Sequence, residues 1–95
     1  MDYDELVDLL GHAGNSTKCS ELIAWLEAAG FTVKKGNSGN HYVFTHTGIR
    51  DSGFTTSSFA CEHGRRPIVK RPYIKNKILN GVVKKYEAEL RTFLE

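Results

Sequence analysis

The five residues Gly36-Asn37-Ser38-Gly39-Asn40 constrain this chain more than any other stretch. Each tolerates the tight reversals and positive φ angles that turns require. The run from His41 to Thr47 follows at once, alternating and rich in aromatic and β-branched residues. That pattern predicts a turn feeding a β-strand. Successive strand side chains point to opposite faces, so if Tyr42 and Phe44 enter the core, His41 leaves it. An outward imidazole beside glycines stands where a substrate backbone could approach. Histidine is also the side chain best suited to give and take a proton near neutral pH. The plainer reading is a histidine that only opens a strand. By the same alternation His46 faces the core, which removes it as a second proton carrier.

The other elements follow from spacing. Leu6, Val7 and Leu10 after an acidic start predict a short amphipathic helix ending near Gly11. Gly14-Asn15-Ser16 reads as a linker. Leu22, Ile23, Leu26 and Ala29 mark one face of a second helix, with Ser16 or Thr17 as its cap and Gly30 as its stop. Phe31 to Lys35, His41 to Thr47 and about Thr55 to Glu62 are three strands, and Gly48 to Gly53 is a loop. Short connections make them an antiparallel meander. Pro72 suits the first turn of a last, long helix. Ile74, Ile78, Val82, Tyr86 and Leu90 recur along it every four residues. Gly81 within it marks close packing or a bend. The order α-α-β-β-β-α predicts an α+β fold, with helices on one face of a small three-stranded antiparallel sheet. Phe31, Val33, Tyr42, Phe44, Phe59, Leu22, Leu26, Ile78 and Val82 are its expected core.

Charge divides the chain. Residues 1–30 hold six acids against Lys18 alone, whereas residues 31–86 hold eleven lysines and arginines against Asp51 and Glu62, a net +9. Such a field attracts polyanions, and phosphate contacts supply most sequence-independent affinity for nucleic acids. A solvated, solubilising surface is the alternative.

Ninety-five residues suit one domain, 1–95, with residues 1–16 as a helical extension and 17–95 as the core unit. No segment reaches the apolar length of a membrane span, and the acidic opening lacks a signal-peptide pattern. The expectation is a cytoplasmic protein with no membrane association. Cys19 and Cys61 lie far apart without metal-type spacing, so free thiols are expected. Cys61 and His63 would need two further ligands that His12 and Cys19 are not organised to provide, so no metal site is expected. Neither a Walker-type glycine loop nor a dinucleotide fingerprint is present, and no cofactor is expected.

The segment Glu21 to Phe31, a helix ending in a Gly-Phe step, and the segment Gly39-Asn40-His41-Tyr42-Val43-Phe44-Thr45-His46 together resemble the HicA family of bacterial toxins. The last helix resembles that family around Lys77-Ile78-Leu79. The likeness covers roughly residues 17 to 94. Asn40 stands where the family usually has serine, the turn before His41 is longer, and residues 63–78 form a longer segment. The resemblance implies a double-stranded-RNA-binding-domain-like fold, α-β-β-β-α, preceded here by an extra helix. It implies a metal-independent endoribonuclease that cleaves messenger RNA through His41 and is neutralised by a HicB-type antitoxin. The RNA 2′-hydroxyl would attack the adjacent phosphate, which calls for proton carriers and nearby cations. Lys34, Lys35, Arg65, Arg66, Lys70 and Arg71, with Gly39 and Asn40 in the turn, are the candidate RNA contacts. His63 is a weak candidate for the second proton role.

Two other readings remain. One is an RNA-binding module that uses the same basic face without cleaving. The other is a protein-interaction domain whose basic face meets an acidic partner.

Overall fold

A computed structural model describes residues 1–36, 39–50, 57–62 and 64–95. Asn37 and Ser38 of the turn, residues 51–56, and His63 lie outside the described residues. The fold is α+β, with a three-stranded antiparallel sheet and helices packed on one of its faces.

Helix α1 (Tyr3–His12) opens with Asp2 as its cap, the Asp2 carboxylate accepting the Glu5 N–H at 2.8 Å. An anion at this end also complements the helix dipole. Tyr3, Leu6 and Leu10 are buried in the same core as the sheet residues, so the helix is packed into the fold rather than appended to it. The Tyr3 hydroxyl donates to Val83 O at 3.2 Å.

A two-residue strand β1 (Thr17–Lys18) precedes α2 (Cys19–Ala28). Strands β2 (Phe31–Lys35), β3 (His41–His46) and β4 (Ser57–Ala60) form the main sheet in the order β2-β3-β4. The register pairs Phe31 with His46 and Lys35 with Tyr42 on one side of β3, and His41 with Ala60 and Tyr42 with Phe59 on the other. Strand β5 (Ile68–Val69) pairs with β1 as a second small sheet. The sequence reading missed this pair because two-residue strands carry no periodicity. The third strand, expected from Thr55, is described from Ser57 to Ala60.

Seven of the nine expected core residues are buried. Val33 and Tyr42 are only half-buried and pack against the core from its margin. Tyr42 stacks on Phe59, with ring centroids 5.6 Å apart.

The long C-terminal helix divides. Tyr73–Val83 is a π-helical segment, residues 84–86 form a turn, and α3 spans Glu87–Leu94. Ile74, Ile78, Val82, Tyr86 and Leu90 are all buried, as their spacing predicts. On an α-helix a strict four-residue repeat would drift around the axis by about 40° per step, because a turn holds about 3.6 residues. The wider π winding holds more residues per turn and offsets that drift for Ile74, Ile78 and Val82, which lie within it. A Cβ at Gly81 would sit 3.0 Å from Asn76 O, five residues back, so Gly81 belongs to this winding.

Cys19 and Cys61 form a disulfide, correcting the expectation of free thiols. Cys19 N–H donates to Pro67 O at 2.9 Å and Glu62 N–H to Ile68 O at 2.8 Å. The segment 67–69 thus draws both cysteines together, to a Cα separation of 5.9 Å. Among the described residues no helix is long and apolar enough to cross a membrane.

Candidate functional site

His41 opens β3 with its backbone held from both sides. Gly36 N–H donates to His41 O at 2.7 Å, and Cys61 N–H donates to Asn40 O at 3.0 Å. These bonds fix the strand's phase. Phe44 is fully buried, so alternation sends His41 to the opposite face, where it is exposed. The Gly39-Asn40 step before it turns with Gly39 at φ 57°, a conformation that glycine adopts without strain. Gly36 packs against the His41 backbone, and a Cβ there would meet His41 O at 3.4 Å.

The face that carries His41 also carries Lys34, Val43, Thr45, Ser58 and Ala60. Lys34 is exposed and lies opposite Val43 in the ladder, so it is diagonal to His41. Such diagonal neighbours stand on the order of 7–8 Å apart, within reach of a lysine. Val43, Thr45, Ser58 and Ala60 are half-buried and present small or β-branched side chains. The result is a shallow face with one imidazole and one ammonium at its turn end.

His46 terminates β3 on the other face and is buried. Its Nδ1 accepts the Gly48 N–H at 3.0 Å, so Nε2 carries the proton and donates to Ala29 O, also at 3.0 Å. Phe31 and Phe93 flank the ring edge-to-face. Both nitrogens are engaged in structure, as expected for a residue that is not a proton carrier. His12 is exposed at the end of α1, with its Nδ1 2.9 Å from Asp8 O. His63 lies outside the described residues.

The predicted cations do not gather around His41. Lys35 pairs with Tyr42, on the helix side of the sheet. It joins Gly39, Asn40, Tyr42, Gly64 and Pro67 around a cavity of about 340 Å³. Arg65 and Arg66 line an adjoining cavity of about 570 Å³ together with Lys18, Ser20, Ile23 and Tyr42. Tyr42 and Pro67 border both cavities, and the two halves of the disulfide line one each. Lys70 is paired with Glu62 at 3.4 Å. Arg71 is exposed, and its backbone N–H donates to Asn15 Oδ1 at 3.1 Å. The candidate contacts therefore separate into Lys34 beside His41, and Lys35, Arg65 and Arg66 along a groove on the other side of the sheet's turn end.

Sequence reasoning did not single out Lys18 or Tyr42 for this groove. Lys18 was the lone cation of an acidic half, and only the β1–β5 pairing carries it to the arginines. Among the described residues no three His, Cys, Asp or Glu side chains cluster as metal ligands would. Compared with protein-family models, with curated proteins and with solved structures, the chain matches none.

Proposed function

We propose that this chain is a metal-independent endoribonuclease that cleaves messenger RNA in the cytoplasm, with His41 as a proton carrier. A HicB-type antitoxin would neutralise it by covering the face that His41 occupies. The observation that carries this reading is an exposed imidazole, diagonal to Lys34 and next to a glycine-rich turn, on a backbone fixed by hydrogen bonds to His41 O and Asn40 O. The resemblance of residues 17–94 to the HicA family supplies the reaction class. In that reaction the RNA 2′-hydroxyl loses its proton and attacks the neighbouring phosphorus. The bond to the 5′-oxygen breaks, and that oxygen takes up a proton. His41 fills one of the two proton roles. The Lys34 ammonium stabilises the charge that develops on the phosphate oxygens.

A second reading has its own support. The cations Lys18, Arg65 and Arg66 line a groove that His41 does not line. A module that binds RNA there without cleaving it would need no proton carrier. Induced expression of wild type and His41→Ala, with cellular RNA integrity as the readout, separates the two. Cleavage by wild type alone supports the nuclease. Intact RNA in both cultures supports the binding module.

A further inference from the structure

The groove that joins the two cavities at Tyr42 and Pro67 has no place in the chemistry at His41. Its larger part gathers Lys18, Arg65 and Arg66, all exposed, and among the described residues no carboxylate lines it. Lys18 comes from the short strand before α2, and the arginines come from the segment before β5. The β1–β5 ladder holds these two parts of the chain together through Thr17 opposite Val69 and Lys18 opposite Ile68. The bonded cysteines line its two parts, Cys19 the larger and Cys61 the smaller. Ile23, Tyr42 and Pro67 form an apolar wall beside the cations. The smaller part ends at Gly39 and Asn40, directly before His41, with Lys35 beside them. Glu62 also lines this end, and its carboxylate is paired with Lys70 at 3.4 Å.

We infer that this groove binds a single-stranded RNA segment flanking the phosphate presented to His41, with backbone phosphates on Lys18, Arg65 and Arg66. The inference rests on the ribonuclease reading for the identity of the polyanion. The argument is charge combined with shape. Three cations in one cavity match a run of phosphates. The apolar wall matches the face of an unstacked base, which a duplex does not offer. The volume of about 570 Å³ lies within the range of small-molecule sites and admits a nucleotide. A strand lying in the groove leaves it at the Gly39-Asn40 turn, where the chain crosses to the face of His41.

The test uses full-length, disulfide-intact protein carrying His41→Ala, so that bound RNA is not consumed. Binding of a short fluorescent single-stranded RNA is measured by anisotropy across a salt series. Adding Arg65→Ala and Arg66→Ala should weaken binding by about tenfold or more and flatten the log–log salt slope by about 1.4 units, at about 0.7 per phosphate contact on a single strand. Lys75→Ala with Lys84→Ala, which removes the same charge elsewhere, should change affinity far less. A duplex of the same sequence should bind more weakly than the single strand. Equal losses from the two double variants, equal affinity for duplex, or no RNA binding would each overturn the groove assignment. The nuclease reading fails separately. With His41 restored, the Arg65→Ala, Arg66→Ala protein should show a raised KM with kcat nearly unchanged. Wild-type protein that binds RNA through the groove but never cleaves it would sink the nuclease and leave the groove standing.

Discussion

His41 and His46 close the two ends of one six-residue strand and face opposite sides of the sheet, one exposed and the other buried. The same residue type thus does two unrelated things within β3. Replacing each with alanine should separate them. His46→Ala leaves Ala29 O without its donor and opens a gap between Phe31 and Phe93, a loss of about 2–4 kcal/mol in urea unfolding. His41→Ala removes an exposed side chain and should stay within about 0.5 kcal/mol of wild type. Equal destabilisation by the two would contradict the strand phase.

The disulfide should carry a measurable share of stability. It closes a loop across a sequence separation of 42 residues. Loop-closure entropy for that length corresponds to about 4 kcal/mol. Urea unfolding with and without reductant should show a loss of that order, and Cys19→Ser with Cys61→Ser should match the reduced protein. Two free thiols titrated in non-reduced, unfolded protein would contradict the bridge.

Tyr3 gives a pH dependence of known sign. Burial, and then the charge of Glu87, hold its phenol above the ordinary value of 10.0, while Arg91 acts in the other direction and Asp4 adds a smaller rise. The folded protein therefore keeps this proton more tightly than the unfolded chain. The associated stability is full below about pH 10 and is lost as pH rises from there through the folded value. Tyr3→Phe should flatten that alkaline loss, at the expense of the hydrogen bond to Val83 O. An unchanged alkaline slope in Tyr3→Phe would assign the effect to other groups.

Much of the fold was legible because periodicity reports which face is buried. Leu22 and Leu26 on α2, and Phe44 and His46 on β3, are buried where their spacing placed them. The disulfide was not legible, because the pairing of residues 17–18 with 68–69 that brings the cysteines together leaves no local pattern. The π winding is half-visible: the strict repeat from Ile74 to Leu90 predicts a helical stripe, although its spacing of four already departs from an α-helix. At the candidate site, the outward phase of His41 followed from alternation alone. The division of the basic residues between two sides of the sheet did not, since Lys34 and Lys35 differ by one position and charge counting treats them alike.

The most direct measurement of the central claim is the cleavage rate of purified wild-type and His41→Ala protein on single-stranded RNA, with and without a chelator. The account predicts that wild type cleaves equally well in both conditions. It predicts that His41→Ala binds the RNA normally but cleaves about 10²- to 10⁴-fold more slowly, the usual scale for losing general acid–base help. Cleavage by His41→Ala at the wild-type rate, or abolition of wild-type cleavage by the chelator, would contradict it.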